Sequence, residues 1–136
     1  MTDLSVRTPE DEAICERVVD LEATMQARTL DWARINTGSW NRDGLERLAP
    51  KLVEAFSALD ASVRTDVPEP FEKIDDKGQP DAFQTAPILR IESRPDAPVQ
   101  VIMSGHYDTV FPPGTFTEIT DLGNGRLNGP GLADMK

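Results

Sequence analysis

The sequence predicts an α/β fold, and three observations predict it. Two amphipathic segments with helical periodicity open the chain. From about residue 61, short runs with strand-like alternation or continuous apolar character take over. Gly, Pro and Asn clusters separate those runs at the spacing of turns. A chain of 136 residues is expected to make one domain, long enough to bury roughly two-thirds of its unfolded surface.

Thr8-Pro9-Glu10-Asp11 marks the first helix start. Thr8 can cap, Pro9 suits the first turn, and the acids favour the positive end of the helix dipole. Ile14, Val18, Leu21, Met25 and Trp32 then fall on roughly one face, predicting one long helix to about Asn36, ended by Thr37-Gly38-Ser39. A second helix is expected from about Asp43 to Leu59, with Leu45, Leu48, Leu52, Val53, Phe56 and Leu59 as its apolar stripe. Pro50 lies inside it and predicts a kink or a break, because proline lacks the amide that continues the helical ladder.

Ala61 to Val67 alternates as a half-buried strand would, while Pro68 and Pro70 turn the next residues into an edge strand or extended link. Asp75 to Pro80 reads as a loop, Pro87 to Ser93 as a strand, and Arg94 to Pro98 as a turn. Val99-Gln100-Val101-Ile102-Met103 is nearly continuous apolar, the pattern of a central strand covered on both faces. Phe111-Pro112-Pro113-Gly114 is a loop. Glu118 to Leu122 and Arg126 to Asn128 flank Gly123-Asn124-Gly125 as a hairpin.

Composition excludes some classes of function. A formal net charge of −10 offers no basic stripe to replace phosphate counterions, so nucleic-acid binding is not expected. No apolar run approaches the ~18 residues of a membrane span, and the polar, acidic start shows no secretory leader. A cytoplasmic location is the expectation. Cys15 is the single cysteine, so no intrachain disulfide can form, and a packed or half-exposed thiol is expected.

The chemistry concentrates in the last third. His106, the single histidine, lies in Ser104-Gly105-His106-Tyr107-Asp108-Thr109-Val110 at the end of the expected central strand. Residues i and i+2 of an extended chain point to one side. The Asp108 carboxylate can therefore hold one imidazole nitrogen of His106 while the other ligates a metal such as zinc. Carboxyl ends of strands are where open α/β sheets bind ligands. Gly129-Pro130-Gly131 then bends the chain before Asp134, a second carboxylate aimed from a constrained turn. Together these residues read as half of a metal site.

The two segments, with 28 residues from His106 to Asp134, resemble the co-catalytic zinc peptidase family, which includes glutamate carboxypeptidases, aminoacylases, dipeptidases and succinyl-diaminopimelate desuccinylases. Asn36-Thr37-Gly38-Ser39, followed by Asn41-Arg42-Asp43-Gly44 and an amphipathic helix, is similar to the amino-terminal region of the glutamate-carboxypeptidase branch. The resemblance implies an incomplete three-layer α/β/α catalytic domain with a mixed, largely parallel sheet behind two N-terminal helices. It implies His106 as a ligand of one zinc, Asp134 as the bridge between two zincs, and Asp108 as the catalytic-site residue that clamps His106. Cobalt or manganese could replace zinc.

The implied reaction is hydrolysis of an amide next to a carboxylate-bearing residue, in a small peptide or N-acyl amino acid. The resemblance places the general-base glutamate, in an adjacent acidic pair, and the remaining ligands beyond Asp134. Residues 1–136 are therefore expected to be the N-terminal portion of such a domain, without its lid or dimerisation domain and inactive alone. An apolar sheet face left uncovered would promote oligomers. The alternative is a non-enzymatic binding or interaction module of the same ancestry, taking a partner strand on that sheet.

Overall fold

A computed structural model describes residues 7–133. Helices α1 (Pro9–Asp20), α2 (Glu22–Ala33) and α3 (Arg42–Phe56) precede six short strands. These are β1 (Ser62–Asp66), β2 (Phe71–Ile74), β3 (Pro80–Phe83), β4 (Ile88–Glu92), β5 (Thr120–Gly123) and β6 (Arg126–Asn128). The fold is mixed α/β. The strands make three two-stranded antiparallel sheets, β1–β4, β2–β3 and β5–β6. The one parallel pairing among the described residues is an isolated bridge between Gly38 and Thr109.

The start of α1 follows the sequence closely. Thr8 Oγ1 accepts the Asp11 amide at 3.2 Å, and the Asp11 carboxylate accepts the Thr8 amide at 2.8 Å, a reciprocal capping box. The Thr8 amide and then the Thr8 hydroxyl, which donates to the same carboxylate at 2.8 Å, lower the Asp11 pKa below the ordinary carboxylate value. The expected single long helix is instead two, because at Leu21 the amide turns to the Val18 carbonyl, a tighter three-residue closure. Its expected core face also differs: Ile14, Val18, Leu21 and Met25 are exposed, and α1 buries no residue. Periodicity shows which face a helix would bury, but a neighbouring layer must be present to bury it.

Helix α3 is the packed one. Asn41 caps it, Oδ1 accepting the Gly44 amide at 3.3 Å, and Arg42 pairs with Glu46 at 2.7 Å. Leu45, Leu48 and Ala49 are buried, with Leu48 fully so, and α3 lies against β1 and β4. Phe56 and Leu59, at the end of the predicted stripe, are exposed. Pro50 does not divide the helix, which is continuous across it. Pro50 is itself exposed, so the carbonyl that loses an amide partner can turn to water.

Strands β1 and β4 match the predicted runs. Val63 faces Ile91 and Thr65 faces Leu89, while Arg64–Glu92 and Arg90–Asp66 pair across the solvent face at 3.3 and 3.4 Å. The β5–β6 hairpin also forms where its turn residues sit. Of the two alternatives after Pro70, an edge strand and an extended link, the strand forms as β2, and its partner β3 was not apparent in the sequence. Asp75 Oδ1 accepts the Lys77 and Gln79 amides, both at 2.8 Å, and Gly78 adopts φ +76° to close the turn. Phe83 packs edge-to-face on Trp40 and Phe71, and Lys73 lies 4.8 Å from the Trp40 ring centre.

Val99–Met103 departs most from expectation. It forms no strand, and Val99, Val101, Ile102 and Met103 are 76, 78, 93 and 92 % exposed. An apolar run becomes a central strand only when strands on either side take its amides and carbonyls, and none of the described residues does so. Among the described residues no helix is long and apolar enough to cross a membrane. Cys15 is exposed.

Candidate functional site

The site is built where the chain after α2 meets the chain after His106. Asn36 to Asn41 is held by a dense set of local bonds. Asn41 Nδ2 donates to the Asn36 carbonyl at 2.9 Å and to Asn36 Oδ1 at 2.8 Å, and the Asn41 amide donates to the Gly38 carbonyl at 2.7 Å. Across the gap, the Thr109 amide donates to the Thr37 carbonyl at 2.8 Å. The Ser39 amide donates to the Thr109 carbonyl at 2.9 Å, and Asn36 Nδ2 donates to the Phe111 carbonyl at 3.1 Å. Thr37, Gly38 and Thr109 are buried.

The approach is close enough to require glycine. A Cβ on Gly38 would stand 2.4 Å from the Phe111 carbonyl oxygen. One on Gly44 would stand 1.8 Å from the Asn36 oxygen. Both glycines of the Asn-Thr-Gly-Ser and Asn-Arg-Asp-Gly segments thus serve backbone contact, not flexibility.

On this frame three side chains meet in series. Ser39 Oγ lies 2.5 Å from Asp108 Oδ2, and Asp108 Oδ1 lies 3.0 Å from His106 Nδ1. The Asp108 backbone carbonyl is also 3.2 Å from Nδ1. A backbone carbonyl and an ionised carboxylate both accept, so this arrangement favours the Nδ1–H tautomer, in which a neutral imidazole has its lone pair on Nε2. Tyr107 points the other way, its hydroxyl donating to the Pro87 carbonyl at 2.6 Å. Burial, then the negative charges of Asp108 and Glu46, raise its pKa above the ordinary phenol value.

The structure therefore brings His106 and Asp108 together as the i, i+2 spacing anticipates, although His106 follows an exposed segment and not a central strand. Asp134 lies outside the described residues. The turn before it is described: Pro130 and Gly131 are buried, and Gly131 adopts φ +71°. A Cβ on Gly129 would meet Ile119 and Leu132 at 2.9 Å. This is a packed turn and not a surface one. Ser39 was assigned no chemistry from the sequence. The signal that could have singled it out was its place directly after Gly38 in a segment already noted.

The donor chemistry suits a borderline cation in one respect. An imidazole whose Nδ1–H is held by a carboxylate presents Nε2 in the manner of a zinc ligand. Among the described residues no three His, Cys, Asp or Glu side chains form a metal-holding group. The fit is thus of one ligand and its orienting partners. Compared with protein-family models, curated proteins and solved structures, the chain gives no match.

Proposed function

We propose that the chain forms the amino-terminal portion of the catalytic domain of a zinc-dependent amidohydrolase, cleaving an amide bond next to a carboxylate-bearing residue in a small peptide or N-acyl amino acid. The observation that carries this reading is the series Ser39–Asp108–His106, which sets a carboxylate acceptor on His106 Nδ1 and so favours a proton there. His106 would hold zinc through Nε2, Asp108 would keep the ring in that tautomer and orientation, and Asp134 would bridge to a second zinc. Zinc, when bound, polarises the substrate carbonyl and lowers the pKa of its water toward about 7. In this reading the sheet is completed as a three-layer α/β/α arrangement, with Val99–Met103 packed against further chain.

A catalytic zinc is usually held by three protein ligands. His106 and Asp134 supply at most two to one metal, so residues 1–136 alone are expected not to hydrolyse amides. Complete four-ligand structural sites bind zinc with about 10–16 kcal/mol. Two ligands should therefore give a Kd weaker than about 1 μM.

Calorimetric zinc titration tests the reading. Weak binding that His106→Ala abolishes supports it, whereas binding unchanged in His106→Ala, or none at millimolar zinc, removes the metal role. In that event, a stable complex with another chain in metal-free buffer would favour the interaction module. Transcript sequence downstream of codon 136 is a second test. An adjacent acidic pair and a further histidine are expected there, and an open reading frame lacking both would count against the proposal.

A further inference from the structure

We infer that Ser39 is a positioning residue for His106, acting through Asp108: its hydroxyl holds the carboxylate so that the carboxylate can hold the Nδ1 proton. The inference rests on the zinc reading for its purpose, since an imidazole that must present Nε2 is the group that benefits.

The observations run in one direction, from rigid to exposed. Ser39 belongs to the most firmly bonded part of the site, with its amide on the Thr109 carbonyl and buried Gly38 beside it. Asp108 is half-buried, and His106 is exposed on a chain that arrives from the exposed Val99–Met103 segment. Through Asp108, the Ser39 hydroxyl ties the imidazole to that bonded frame.

The Asp108 carboxylate has its two oxygens divided between two partners, Oδ2 to Ser39 and Oδ1 to His106. Ser39 Oγ has one proton and two acceptors in reach, Asp108 Oδ2 at 2.5 Å and the Thr109 carbonyl at 3.1 Å. The shorter, ionised acceptor takes it, and its length is that of a charge-assisted O–H···O⁻ bond. Two effects of that bond oppose each other. Drawing charge toward Oδ2 makes Oδ1 a slightly weaker acceptor, while fixing the carboxylate plane removes rotamers in which Oδ1 misses Nδ1. Asp108 leads directly into Thr109, which is bridged to Gly38, and among the described residues Ser39 is what anchors its side chain to that frame, so orientation dominates.

The test reads the tautomer of the single histidine by ¹⁵N NMR, without metal and at a pH where the ring is neutral. It can therefore fail independently of zinc binding. The unsubstituted chain is expected to be mainly Nδ1–H. Asp108→Ala should shift the ratio toward Nε2–H by roughly tenfold. Ser39→Ala should shift it by roughly three- to tenfold, the range of one ordinary hydrogen bond, and Ser39→Thr should restore it.

A ratio unchanged in Ser39→Ala while Asp108→Ala shifts it overturns the role of Ser39 and leaves the zinc proposal standing. Should Ser39→Ala fail to fold, the unsubstituted chain decides. A slowly exchanging, downfield Ser39 hydroxyl proton supports the inference, and a rapidly exchanging one overturns it.

Discussion

Gly38→Ala puts the whole site frame under test with one methyl group. The added Cβ would lie 2.4 Å from the Phe111 carbonyl oxygen, where ordinary contact begins at 3.4 Å, so the two backbones must part by about 1 Å. That oxygen accepts from Asn36 Nδ2, and the same approach carries the Thr109–Thr37 and Ser39–Thr109 amide bonds. Loosening three hydrogen bonds of about 0.5–1.5 kcal/mol each removes about 1.5–4.5 kcal/mol. The narrower unfolded ensemble of alanine returns about 0.4–1 kcal/mol, leaving a net loss of about 0.5–4 kcal/mol. Urea unfolding followed by tryptophan fluorescence measures it, since Trp40 lies two residues away. Amide exchange at Thr109 should accelerate in parallel. A stability within about 0.5 kcal/mol of the parent, with Thr109 exchange unchanged, would show that segments 36–41 and 108–111 do not meet in this way.

Leu48→Ala, at the fully buried centre of α3, should lose about 2–5 kcal/mol in the same urea assay, and a loss below about 1 kcal/mol would place the core elsewhere. Ile102→Asp should leave stability within about 0.5 kcal/mol and reduce self-association in sedimentation, because Ile102 is 93 % exposed; a large destabilisation would mean that the segment is covered. Tyr107 carries a pH prediction. Its raised pKa means the folded chain keeps the phenol proton more tightly than the unfolded chain, so this contribution is intact below about pH 10 and is lost as pH rises through the folded value. Denaturant midpoints at about pH 9 and about pH 11 should therefore fall further for the parent than for Tyr107→Phe, and equal falls would contradict the assigned burial.

Much of the local structure was legible because its causes are local. Thr8 and Asp11 cap each other within one turn. Gly123-Asn124-Gly125 supplies left-handed conformations to a tight hairpin, and Val63, Leu89 and Ile91 alternate along two strands. The pairing of His106 with Asp108 was legible for the same reason, two residues apart on one chain. The β2–β3 hairpin was harder to read, since Pro68 and Pro70 left an edge strand and an extended link both open and its cohesion comes partly from Trp40, some 30 to 40 residues upstream. Ser39 stood in a segment the sequence singled out, but its role did not show there, because its partner lies 69 residues away.

The amino-acid order alone determined the helix caps, the turns, the amphipathic faces and the presence of a histidine–carboxylate pair. Each depends on conformational preference or reach over a few residues. Only the tertiary structure decided which faces are buried, that Val99–Met103 has no strand partner among the described residues, and that Asn36–Asn41 and Asp108–Phe111 lock together behind the imidazole. Burial and long-range hydrogen bonding belong to pairs of surfaces, and a periodic pattern describes only one surface of each pair.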